Sequence, residues 1–459
     1  MHHSTTQTVT FSNIDKKPIQ VHFSQPQSSS DGGALLLKAA DEAMGLTKIL
    51  AEKIRDTRQP SKVTHSTLQL VQQRVFGLAC GYADNNDAKR LSQDPIQKLL
   101  VGHDPSSEEG LGSQPTLSRF ENSIDRPDLL RMGIHLAQQI IRQQKKRLHG
   151  KVRKITIDID GTEDPVHGQQ EGSCFSGFYD SHCYQPLVAF LTFNEETEQY
   201  LVAALLRSGT AGSQGTDYLL KKLIPLLSEW FPKAKILVRL DGGFAHPGLL
   251  DQLDTWAALW DLHYVVGMAG NSRLRESSQD DMDRAMELCL RHHDTSTLYG
   301  ETRYQAKSWA EPRRVIYKAE VVWASGKLPR ENDRYVITNR QGSPESLYGL
   351  YRQRGDNENR IKELKEGLEM DRTSCQYWPA NQFRLLLTTA AMALWQWIRS
   401  LAKGTEAASW QVSTLRERLI KIGASVKSSV RRLQFLLPVH YPWQELWCTL
   451  MQRLQPLSS

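Results

Sequence analysis

The chain lacks the patterns that mark several large protein classes. None of its six cysteines falls in a Cys-x2-Cys pair, which argues against both a disulfide framework and a zinc finger. No Gly-x4-Gly-Lys-Ser/Thr run and no His-Glu-x2-His pair occurs, so a P-loop NTPase and a zinc hydrolase are without their signatures. Apolar runs such as Leu385 to Leu387 and Ala390 to Leu394 are interrupted by Thr or Arg, well short of the ~20 residues a membrane span needs. There is no internal repeat and no low-complexity block. The start carries no basic segment followed by an apolar one, so a cytoplasmic location is expected.

What is present is a chain of 459 residues, 39% hydrophobic, with a formal charge of +6. That length buries a large core and predicts two to four domains. The mild positive excess permits nucleic-acid binding, and its distribution says more. Arg142, Lys145, Lys146, Arg147, Lys151, Arg153 and Lys154 follow one another with no acid between. Near the other end Arg416, Arg418, Lys421, Lys427, Arg431 and Arg432 recur against the single acid Glu417. Either run alone is equally a solvated helix face; the two together, around a set of acids, favour a DNA groove.

Residues 1–33 are polar, end in Ser-Ser-Ser-Asp-Gly-Gly, and are expected to form a flexible arm. Residues 34–150 carry helical periodicity and predict an all-helical domain. Within it, Ser113 to Glu121 has a cap residue, a proline near the helix start and Arg119 beyond small polar side chains, as a recognition helix begins. The same residues also describe an ordinary capped helix packed by Leu117 and Phe120. From Lys154 the period becomes two. Strands are expected at Lys154–Asp160, Leu187–Phe193, Tyr200–Leu206, Ile236–Asp241 and His263–Gly267, with helices at Tyr218–Trp230 and Gly248–Trp260. Three strands, helix, strand, helix, strand is the order of a ribonuclease H-like core, so the fold class is α/β. Residues 151–270 and 334–375 form that core, 271–333 a β-rich insertion marked by the alternation of Arg313 to Trp323, and 376–459 a helical C-terminal region.

Tyr351, Arg354, Glu358 and Lys365 stand at intervals of three, four and seven. At about 100° per residue they fall within roughly 60° of one helix face, which sets a carboxylate among cations beside a phenol. Such a face suits a metal ion and a phosphodiester. Asp356 and Glu363 compete for the acidic role on the same helix. Upstream, Asp241 follows a strand of almost unbroken apolar character, where side chains face the crevice at the carboxyl ends of an open α/β sheet; an Asp before Gly242-Gly243 also simply opens a turn. Asp158 and Asp160 are two apart and share a strand face, so either could hold a metal. Glu163, Asp164 and His167 read as loop polarity.

The interval pattern Tyr-x2-Arg-x3-Glu-x6-Lys resembles the signature around the last acidic residue of a large group of bacterial DDE transposases. Further phrases are similar to the 1380 family of bacterial insertion sequences: Asp164-Pro165-Val166-His167-Gly168, Gln170-Glu171-Gly172, Glu358-Asn359-Arg360-Ile361-Lys362-Glu363 and Asp371-Arg372-Thr373-Ser374-Cys375. The resemblance implies Asp160, Asp241 and Glu358 as catalytic metal ligands, Asp160 being preferred because those enzymes carry Asp-x-Thr there. It implies Mg2+, with Mn2+ as substitute, and Tyr351, Arg354 and Lys365 on the phosphates of a transposon end. Arg119, Lys145, Lys146 and Arg147 are expected on flanking double-stranded DNA. The implied partners are terminal inverted repeats and target DNA, bound by a homodimer pairing two ends, in association with a bacterial nucleoid. A stacking aromatic in the insertion would be Trp309 or Trp323, each equally suited to core packing. A nuclease on the same fold without strand transfer, and a catalytically silent DNA-binding derivative, are the alternatives.

Overall fold

The computed structural model describes residues 8–11 and 14–454; parts of the expected arm and of the C-terminal region lie outside them. The first helices, Leu35–Met44, Leu46–Glu52 and Thr67–Cys80, lead to α1 (Gln114–Asn122) and α2 (Arg126–Arg147). α2 starts where Asp125 accepts from the Asp128 N–H with Pro127 in the first turn, and ends on Lys145, Lys146 and Arg147, complementing the helix dipole at both ends. The chain then builds β1 (Lys154–Gly161), β2 (Leu187–Phe193), β3 (Tyr200–Leu205), α3 (Thr216–Trp230), β4 (Lys235–Leu240), α4 (Pro247–Leu259) and β5 (Leu262–Met268). These lie within two residues of the sequence expectation. α5 (Ser272–His292), β6 (Ser296–Tyr304), β7 (Arg313–Val322) and β8 (Arg330–Thr338) follow, then α6 (Pro344–Arg352), α7 (Asp356–Leu368) and α8 (Trp378–Leu401).

One eight-stranded sheet runs β6-β7-β8-β5-β4-β1-β2-β3. β1, β4 and β5 are parallel neighbours, whereas β2, β3 and β8 join antiparallel. Parallel strands need covering on both faces, which accounts for the continuous burial of β1 and β4. The segment 271–333, expected to be a β-rich insertion, opens with the 21-residue α5 and lengthens the main sheet instead of forming its own. α5 escapes alternation analysis because its buried residues Leu274, Ser278, Met282, Ala285 and Cys289 repeat at helical intervals.

Two further expectations are corrected. The arm's end is not free: Ser28 and Ser29 pair with Ser425 and Ala424, and buried Asp31 meets Lys421 and Gln97 at 2.7 Å each. The C-terminal region is not all helix, for Ala424–Ser429 and Arg432–Leu436 form an antiparallel hairpin. Its strands alternate in too few apolar side chains to announce themselves.

α8 crosses the edge strand β3 and is buried around most of its circumference. Two glutamines explain how an open strand edge tolerates it. Gln382 accepts from the Leu206 N–H (2.7 Å) and donates to the Ala204 carbonyl (3.0 Å). Gln396 accepts from the Leu201 N–H (3.0 Å) and donates to the Gln199 carbonyl (2.5 Å). Their primary amides supply the ladder partners that a neighbouring strand would otherwise provide.

Candidate active site

Because β1 and β4 are parallel and adjacent, Asp160 near the end of one and Asp241 just beyond the other reach the same carboxyl-end crevice. Both line a cleft of about 470 Å³ with Gly161, Tyr179, Arg207 and Phe244. Asp241 caps the turn Gly242–Phe244 by accepting from the Gly243 N–H at 2.8 Å. Asp160 accepts from the Gly161 N–H (3.0 Å) and from Nη1 of Arg354 (2.7 Å). Burial, with Asp241 adding to it, pushes the Asp160 carboxyl up to about 6 against the pull of Arg354. A carboxylate held at that cost is a ready ligand for a cation.

Asp158, the other candidate of the first motif, is committed elsewhere. It is fully buried, and both its oxygens take 2.7 Å bonds from Nε and Nη2 of Arg239. Arg239 Nη1 also donates to the Leu350 carbonyl at 3.2 Å, the oxygen that the Arg354 N–H would use in an unbroken α-helix. The helix tightens there into the 3-10 turn Gln353–Gly355. The four-residue motif therefore does not occupy one uninterrupted helix: Tyr351 ends α6, Arg354 lies in the tight turn, and Glu358 and Lys365 stand on α7. Glu358 Oε1 is 3.8 Å from Arg354 Nη2 and its side chain is 72% exposed. Glu363 is excluded as its rival, being buried against Arg399 and Arg360.

Among the described residues, no three His, Cys, Asp or Glu side chains stand close enough to hold a metal ion together. The donor chemistry nonetheless fits a hard divalent cation at Asp160 and Asp241, with Glu358 beside Arg354 as the third acid. The family model described as transposase DDE domain group 1 matches residues 11–459. The chain belongs to this DDE transposase family. Transposases of the family use divalent metal ions. A cryo-EM structure of a piggyBac transposase synaptic complex with hairpin DNA is similar at 11% identity and a TM-score of 0.42, over 93% of this chain and 82% of that one. No curated protein matches.

The other expected DNA contacts of the transposase are scattered. Lys365 is half-buried with Nζ 4.0 Å from Asp371. Arg119 is exposed beside a cleft it shares with Arg55, Arg58 and Lys62, while Leu117, Phe120 and Glu121 bury the opposite face of α1. The basic run of residues 142–154 ends on the first residue of β1, and six residues at ~3.3 Å each put Lys154 about 20 Å from Asp160. The Arg147 guanidinium is paired twice with Glu196 (2.7 and 2.8 Å) and lies over Tyr200. Lys145 and Lys146 are both exposed, Lys145 with its ammonium 6.0 Å from the Trp230 ring centroid. The second run is likewise partly internal. Arg416 donates to the Gly367 carbonyl, Arg418 sits against Trp410 and Trp443, and Lys421 pairs with Asp31.

Trp309 is buried against Tyr304 and Arg313, and Trp323 packs beside His293. Asp164 is no loop residue. It is fully buried, accepts from Thr373 at 2.7 Å, and burial pushes it up to about 8, so it is protonated at neutral pH. Two residues that support the cleft lie outside the motifs. Arg239 was legible as a lone charge inside an apolar strand. Gly267 was legible as a glycine inside one: a Cβ there would fall within contact of the Tyr351 hydroxyl and 2.9 Å from the Gly242 nitrogen. Its missing side chain is the notch through which α6 docks beneath Asp241.

Proposed function

We propose that the protein is a transposase that binds the terminal inverted repeats of an insertion sequence of the 1380 family, cuts DNA at the ends and joins the freed 3′-hydroxyls to target DNA. The single observation that carries the reading is the meeting of Asp160 and Asp241 in one cleft with Arg354 of the third motif bonded to Asp160. The strand order β3-β2-β1-β4-β5, with the first three antiparallel and the last two parallel to β1, supports a ribonuclease H-like core. On that reading α5 and β6–β8 are the insertion.

Asp160, Asp241 and Glu358 would hold Mg2+ or Mn2+. Held there, such ions would activate an attacking oxygen and stabilise the departing one. The chain's part is positional. Asp160 and Asp241 are set by strand register; Glu358 swings inward on α7 from its exposed position. Arg354 leaves Asp160 for a DNA phosphate, which its planar fork suits. Tyr351, seated at Gly267, fixes the approach of α6, and Lys365 and Arg119 take further phosphates, with Lys145 and Lys146 on duplex beyond the cleft. Two copies of the chain pair the two ends.

The test is incubation with labelled linear DNA bearing the element's ends, a supercoiled plasmid and Mg2+, beside Asp241→Ala. Joined product that the variant fails to make is expected. Metal-dependent cutting without joining would instead make the protein a nuclease, and end binding without cutting a silent DNA-binding derivative.

A further inference from the structure

Among the described residues Arg207 has no ion-pair partner. It follows β3 and is buried, with Nε donating to the Gln185 carbonyl at 2.9 Å and Nη1 donating to the carbonyls of Gly212 (2.7 Å) and Gln214 (2.8 Å). Nη2 is buried with no hydrogen-bond partner among the described residues, as is Oε1 of Gln185. Carbonyl oxygens orient a guanidinium without neutralising it, and an unneutralised buried cation is costly to keep. Burial accordingly pulls its pKa down to about 10. The nearby carboxylate of Asp160 is already engaged by Arg354.

The surroundings are shaped around Nη2. A Cβ at Gly161, directly after Asp160, would fall 2.9 Å from it and 3.7 Å from Cγ of Gln185. A side chain there would press directly on the guanidinium. Arg207, Gln185 and Gly161 line the same cleft as the two aspartates, and so does the turn joining Cys174–Ser176 to Ser181–Tyr184. At the tip of that turn Phe178 is 86% exposed and stands edge-on to Tyr179, ring centroids 4.8 Å apart. A single exposed phenylalanine is unremarkable by itself. Here it overhangs a cleft that contains an unpaired buried cation and two acids.

We propose that this corner is a subsite for an unpaired nucleotide of the DNA strand: Arg207 Nη2 takes a backbone phosphate next to the scissile one, and Phe178 stacks on a base. Only a base free of its partner offers a face to Phe178, so a frayed or single-stranded end is the preferred occupant. The assignment deepens the transposase reading and rests on it for the identity of the strand. A guanidinium suits the phosphate because its planar donors match tetrahedral oxygens, and stacking tolerates any base.

The experiment uses the full chain and two duplex oligonucleotides, one blunt and one with a four-nucleotide tail carrying 2-aminopurine. Tighter binding of the tailed duplex by about tenfold, with quenched fluorescence, is expected. Phe178→Ala, on an exposed turn, should remove the quench and most of the preference while leaving the melting temperature unchanged. Arg207→Gln should weaken binding and lower the salt dependence by about one phosphate. Arg207→Lys, which keeps the charge, controls for loss of folding and should retain part of both. Equal binding of tailed and blunt DNA, or a quench that survives Phe178→Ala, would overturn the proposal. Displacement of the tail by millimolar inorganic phosphate, with no effect of Phe178→Ala, would reduce the corner to a simple anion site and overturn it as well. Cleavage assays on Asp241→Ala stand apart from these readouts: a variant that still cuts refutes the catalytic reading, whereas the tail preference alone decides the subsite.

Discussion

The two halves of the candidate site are built differently. Asp160 and Asp241 ride on parallel neighbours whose register fixes their separation, with the Asp158–Arg239 pair buried directly beneath. Glu358 rides on a helix that restarts after a 3-10 turn, and its carboxylate stands mostly in solvent. One half is set when the sheet forms; the other is left to the helix. Arg354 lies between them, 2.7 Å from Asp160 and 3.8 Å from Glu358. Arg354 thus joins a strand-borne pair of acids to a helix-borne third.

The largest effect separates the halves directly. Asp241→Asn should abolish cutting and joining by about a thousandfold or more and also eliminate Mn2+ binding measured by calorimetry, whereas Glu358→Gln should lose activity equally but retain one bound ion. Equal ion loss in both variants would dissolve the distinction. Next comes the support beneath the strand half. Arg239→Met leaves Asp158 buried and unpaired, at about 3–5 kcal/mol, read as a lower melting temperature; Asp158→Leu with Arg239→Met should recover most of it.

The third effect follows from Asp160. Its folded pKa of about 6 lies above the ordinary 3.8, so the metal-free folded chain binds the proton more tightly than the unfolded chain does. The stability contributed by this group is fully present below the unfolded value and is lost as pH rises through about 6. Ion binding has the opposite sense, since the ligand must be ionised. Affinity for Mn2+ should fall about tenfold per pH unit below 6 and level off above it, and Asp160→Asn should flatten the profile. The smallest effect is at a distance: Lys146→Ala, in the last turn of α2, should change end binding by less than about threefold and lower the salt slope by at most about one.

The strand half was readable because its signals are local. Period-two alternation and the acids closing apolar runs fix Lys154–Gly161 and Lys235–Leu240 almost to the residue. The helix half was misjudged because spacing implies one continuous face, while the break at Gln353 is where Arg239, more than a hundred residues earlier, donates to the helix. The basic runs were only partly legible for a related reason. Charge density along a sequence does not reveal that Arg147 is claimed by Glu196 or Arg418 by two tryptophans. Asp164 looked like a loop residue because the Thr373 that buries it lies 209 positions away.

The two glutamines of α8 give the molecule a timetable. Leu201 waits for Gln396, 195 residues further along, and Leu206 for Gln382. At the roughly 5–20 residues per second of protein synthesis, the edge of β3 stands unpaired for about 10–40 s while the rest of the chain is made. During that interval the nascent sheet offers a sticky border to any other emerging chain. A message truncated ahead of Gln382 would never close it, and its product should clump or be degraded rather than persist as a shortened competitor.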